Sequence, residues 1–247
     1  AQTRTTLPEY VTGDECLFCH RNDIGPGWSR NRHNLTLRQH GEGYMLGTRE
    51  LRRAGYGRLA IRQGDTWNPA HFADRCAGCH TTAVDARTRA FASPGLDCYT
   101  CHGAVDLDHT QDTSRVWLSK KRRDDAKAIT SICAQCHLRG GKSRSTGLPY
   151  AANFVAGDDL FADYEADLAK AGDAALNPGD RHVYRNVRDA LTAGSDVTCL
   201  GCHRVHAPSG LRHRRAAPSA ICNDCHAPTG PRKNVIKYTV RSAVCEY

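Results

Sequence analysis

One five-residue string, C-x-x-C-H, occurs six times in this 247-residue chain: CLFCH at 16–20, CAGCH at 76–80, CYTCH at 98–102, CAQCH at 133–137, CLGCH at 199–203 and CNDCH at 222–226. It consumes twelve of the thirteen cysteines and leaves only Cys245. With histidine at 13 of 247 positions, six chance placements directly after six pairs have a probability on the order of 10⁻⁸, so the five residues act as one unit.

That unit is the attachment signature of c-type haem. The two thiols, separated by two residues, reach the two vinyl-derived carbons of one porphyrin edge as thioethers, and the next side chain turns its imidazole to the iron. Six covalent haems are expected on the thiols of Cys16 and Cys19, Cys76 and Cys79, Cys98 and Cys101, Cys133 and Cys136, Cys199 and Cys202, and Cys222 and Cys225. The proximal ligands are then His20, His80, His102, His137, His203 and His226. A disulfide framework accounts for paired cysteines but not for the histidine after each pair. Structural zinc would use two pairs per metal and leave those histidines unused. Thioredoxin-like pairs need a βαβ setting that the sequence does not offer.

Each iron needs a second axial ligand unless it is to bind substrate. Seven other histidines remain: His33, His40, His71, His109, His182, His206 and His213. His213, in the basic stretch LRHRRAA, is the expected spare, and His40, seven residues after His33 and spaced for the same helical face, is the next. Met45, the single methionine, serves one iron at most. The expected state is therefore bis-histidine and low-spin.

Six haems in 247 residues are too many for each to own a domain of about 100–150 residues. They must share one core, and the expected fold is a single domain over 1–247: mainly coil with short α-helices wrapped around a closely packed chain of six haems, with little β structure. Intervals of 22 residues from Cys76 to Cys98 and 23 from Cys199 to Cys222 keep neighbouring sites close. The stretch RDDAKAITSICAQCH, from Arg123, is predicted as a helix that ends in its attachment site. A haem-free insert over 138–198 contains VAGDDLFADYEADLAKAG, predicted as a helix with Asp158 as cap, Leu160, Tyr164 and Leu168 on one face and Gly172 as stop. The many glycines and the PG, GP and NP dipeptides mark turns. In the 231–247 tail, Ile236, Tyr238 and Val240 alternate with polar residues as in a half-buried strand, open to pairing within the chain or with another subunit.

The net charge of +8 would invite a nucleic-acid reading. About one positive charge per ferric haem and two negative charges per pair of propionates shift it to about +2 oxidised and about −4 reduced, which removes that motive. The run Lys120, Lys121, Arg122, Arg123 reads as a solvated face or as a neutraliser of propionates. No window has the eighteen or more consecutive apolar residues of a spanning helix. The opening AQTRTT suits an exported chain whose leader has been removed, placing it in the periplasm or outside the cell.

CLFCH followed by Trp28, Ser29 and His33, GLDCYTCHGAVDLDH, and CLGCHRVHAP together resemble the multihaem c-type cytochromes, in particular the branch that contains the nitrifier tetrahaem cytochrome. The resemblance implies His33, His109 and His206 as distal ligands; His71 and His182 follow less specifically, from number and placement. It also implies electron transfer, with other redox proteins or extracellular acceptors as partners, and self-polymerisation in some related secreted cytochromes. Six sites depart from the tetrahaem pattern. The competing reading is a multihaem oxidoreductase acting on small nitrogen compounds. It would need an iron with an open position, yet all six motifs end in histidine.

Overall fold

The computed structural model describes residues 6–106 and 108–211. The sixth motif with Cys222, Cys225 and His226, together with His213, Cys245 and the strand pattern of the tail, lies outside the described residues.

Thr12 accepts a hydrogen bond from the Glu15 N–H and starts α1, Gly13–His20, which carries the first motif; α2 follows at Gly25–Trp28. The chain then makes a five-stranded antiparallel meander of β1 (Arg38–His40), β2 (Gly43–Leu46), β3 (Arg49–Arg53), β4 (Leu59–Gln63) and β5 (Thr66–Asn68). Three of its four connections are two-residue loops that begin with Gly41, Gly47 and Gly64 at φ of 56°, 60° and 59°. A glycine in the first central position is what a type II′ hairpin demands. Asn68 and Pro69 then cap α3, Pro69–Arg75, which runs into α4, Ala77–His80, with the second motif. A hairpin of β6 (Thr81–Val84) and β7 (Phe91–Pro94) leads to α5, Cys98–His102, capped by Asp97 and holding the third motif. The fourth motif ends α6, Ala126–His137, capped by Asp125, as its sequence predicts. The short strands β8 (Lys142–Ser143) and β9 (Tyr164–Glu165) pair, α7 covers Pro178–Thr192, and α8, Cys199–Cys202, bears the fifth motif.

The expected coil-and-helix wrap with little β structure is overturned. Helices take 35% and strands 16% of the described residues, and the five-stranded sheet makes the protein mixed α/β. The strands hide from a periodicity reading because they are short and charged: β3 is RELRR with only Leu51 buried, and β4 buries Leu59, Ala60 and Ile61 in a row. His40 accordingly sits on strand β1 and shares no helical face with His33.

The predicted helix capped by Asp158 is also absent. Its segment forms two 3₁₀ turns, Leu160–Ala162 and Leu168–Gly172, on either side of β9. Aspartates recur every four residues there, and Asp159 and Asp167 each accept a backbone N–H two residues on, while Asp163 takes the Ser145 N–H. Such local bonds compete with a helix. The helix of the insert is α7 instead, where Asn177 accepts the Asp180 N–H and Pro178 begins the first turn; the NP dipeptide marks a cap and not a turn.

Two apolar clusters flank the motifs. Leu51, Leu59 and Ile61 of the sheet pack with Phe72, Ala77, Val84, Phe91, Leu148 and Tyr150, and Cys76 and Cys79 lie against them. Ala134 and Leu138 pack with Leu160, Tyr164, Ala171, Tyr184 and Val187. No helix among the described residues is long and apolar enough to cross a membrane.

Candidate functional site

The five described motifs converge between these clusters. The Cys16 thiol lies close to that of Cys98, Cys79 to Cys136, and Cys133 to Cys199. The first motif thus adjoins the third, and the fourth adjoins the second and the fifth. None of the ten described cysteines is in a disulfide. Burial pushes the Cys101 thiol up to about 11.

Three motif histidines face three histidines from elsewhere in the chain. The ring centroids of His20 and His109 are 6.2 Å apart, those of His33 and His137 6.0 Å, and those of His102 and His206 5.9 Å. A metal–imidazole bond of roughly 2.0–2.1 Å on each side, plus the two ring radii, separates centroids by about 6 Å. Packed aromatic rings also fall within about 4.5–7 Å, so spacing alone does not identify a ligand pair. The hydrogen bonds add the missing chemistry. His102 Nδ1 lies 2.6 Å from the Trp117 carbonyl, and His109 Nδ1 2.8 Å from that of Asp106. Carbonyl oxygens only accept, so both rings carry their proton on Nδ1, and a neutral ring then keeps the Nε2 lone pair for a metal. His33 Nδ1 donates in the same way to Asn31 Oδ1 at 3.1 Å, and His20 Nδ1 faces Asp23 Oδ2 at 3.4 Å. Partial burial holds His33 and His102 below the usual imidazole range, which favours the neutral form.

The loop that serves His102 is built for it. Asp124 Oδ2 accepts the Leu118 N–H and its Oδ1 binds Arg122, whose guanidinium lies 3.5 Å from the centre of the Trp117 ring and also donates to the Ser114 carbonyl. Arg122 is therefore held, half-buried, by partners of its own loop, while Lys120, Lys121 and Arg123 are exposed. Behind α5, Tyr10 bonds to Asp97 and packs edge-on against Tyr99.

Not every expected ligand is brought to a partner. His80 Nδ1 bonds to Thr36 Oγ1 at 2.7 Å, and among the described residues no second imidazole ring packs against it. His71 opens α3, where its N–H is taken by Asn68. His40 is exposed on β1, and exposed His182 meets Asn186 on its own helix. The acceptors Asn31, Thr36, Trp117 and Asp106 escape sequence reading, since two of them act through backbone carbonyls and none belongs to a motif.

The donor set fits haem: histidines arranged in facing pairs beside paired thiols. Among the described residues no three His, Cys, Asp or Glu side chains converge as a bare metal ion would need. No family model matches the chain, and neither a curated protein nor a solved structure is significantly similar to it.

Proposed function

We propose that this chain is an exported multihaem c-type cytochrome that transfers electrons, with six haems held by its six C-x-x-C-H motifs. The single observation that carries this reading is the pairing of three motif histidines with three non-motif histidines at 5.9–6.2 Å, in each of which one ring commits its Nδ1 to an oxygen acceptor and leaves Nε2 for an iron. Haem supplies reversible one-electron chemistry; the protein supplies spacing, ligands and electrostatics. The cysteine contacts between motifs support close neighbours, and two axial imidazoles per iron would leave no room for a substrate at those positions. Partners would be other redox proteins or extracellular acceptors, with the chain acting as a periplasmic or surface carrier or as a subunit of an extracellular filament.

The test is the protein exported from a host that attaches haem. Its mass should exceed that of the polypeptide by six haems, and electron paramagnetic resonance should show mostly low-spin ferric iron. A bare polypeptide, or mainly high-spin iron, overturns the reading. Electron microscopy then separates carrier from filament. A second reading, an oxidoreductase acting on small nitrogen compounds, draws on His80, whose bond to Thr36 is not matched by a facing imidazole among the described residues. Carbon monoxide binding to one full haem equivalent of the reduced protein would favour it.

A further inference from the structure

Asn31 is 4% exposed and belongs to no motif. Its side-chain amide nevertheless joins two of the three histidine pairs. Its Nδ2 donates to the carbonyls of Val205 at 2.8 Å and Ala207 at 2.5 Å, the two residues that flank His206. Its Oδ1 accepts from the His33 N–H at 2.9 Å and lies 3.1 Å from His33 Nδ1. Both donors and both acceptor positions are used, and the acceptor-only carbonyls fix which end of the amide is nitrogen.

The surrounding segment repeats the contact. A Cβ on Gly27 would stand 2.4 Å from the His206 carbonyl oxygen, so only glycine lets the chains approach this closely. The Trp28 ring meets the His206 ring edge-on, Ser209 Oγ accepts the Arg32 N–H at 2.7 Å, and the Ser209 N–H reaches the Arg30 carbonyl. Residues 27–33 and 205–209 thus form one clamp. His33 leaves it toward His137 of the fourth motif, and His206 leaves it toward His102 of the third.

We infer that Asn31 is a positioning residue that sets the distal ligands of two neighbouring haems together, at the third and fourth motifs. The inference rests on the bis-histidine reading of those pairs. Outer-shell partners of a ligand set its orientation and basicity, and their loss costs about 10–100-fold in ligand binding. One amide here carries that role for two irons, whereas His20 and His109 use Asp23 and the Asp106 carbonyl and owe nothing to it.

The experiment uses the haem-loaded full chain and its Asn31→Leu and Asn31→Asp variants, titrated with cyanide in the oxidised state and followed by visible and paramagnetic resonance spectra. Asn31→Leu should raise cyanide affinity about 10–100-fold at about two haem equivalents and leave the rest as in the parent. Asn31→Asp keeps an acceptor for His33 but sets a carboxylate against two carbonyls. It should open one haem equivalent only, and it carries the test if the leucine variant does not fold. Unchanged affinity, or equal loosening of every haem, overturns the clamp. A parent protein without low-spin bis-histidine iron overturns the function proposed above instead.

Discussion

The second and fourth motifs stand on apolar walls; the first and fifth do not. Cys76 and Cys79 lie against the sheet cluster of Leu51, Ile61 and Phe72, and α6 buries Ile129, Ile132 and Ala134 on its way to His137. Helices α1 and α8 bury no residue, and α5 buries only Tyr99. There the fastenings are polar: Tyr10 to Asp97, Gln135 to the Thr100 carbonyl, and Asn31 to the 205–207 backbone. A chain with an apolar fraction of 40%, below the usual 45–50% or so, has concentrated its own core at two flanks. Between them, the proposed haems would supply burial that the described side chains do not.

The largest expected effect follows from withholding haem attachment. Hydrogen exchange should keep protection in β3, β4 and α6 and lose it in α1, α5 and α8; uniform protection, or uniform loss, would break the contrast. Phe72→Ala should destabilise the loaded protein by about 3–5 kcal/mol in denaturant titration. Its exchange signature should appear in the sheet and around the second motif, with the spectrum of the first unaffected. Tyr164 Oη bonds to the carbonyls of Leu138 and Pro149, so Tyr164→Phe should cost about 1–3 kcal/mol. That loss should be felt around the fourth motif, and an effect centred on the sheet would show that the two clusters are one. Gly64→Ala, at φ of 59°, should cost about 1–2 kcal/mol. Exchange should quicken in the β4–β5 hairpin alone, and a response at α6 would again merge the two regions.

Much of the local structure was legible. The α6 helix follows from Asp125 and a run of good helix formers, and it ends at its own motif. The sheet was hidden although its signals were present: Gly64-Asp65, flanked by LAIRQ and TWN, is a two-residue hairpin pattern, and Gly47-Thr48 is another. Arginines on both sides of Leu51 mask the alternation, because a strand with one buried residue has almost no period to detect. Asn177-Pro178 was readable as a cap with a first-turn proline, but it competes with the turn meaning of the same dipeptide. The aspartates of 158–167 look like helix caps but act as turn makers, and between them Tyr164 reaches two distant carbonyls.

The sequence alone determined the paired thiols and the histidine beside them, because the attachment and proximal ligation proposed here would need only five consecutive residues. Which imidazole faces which was left to tertiary structure: His109 with His20, His33 with His137, His206 with His102. Those pairings join segments far apart in the chain, and they are fixed by backbone carbonyls, a glycine's close approach and one buried amide. Such contacts depend on where the main chain runs, and a carbonyl offers the same acceptor whatever side chain it belongs to.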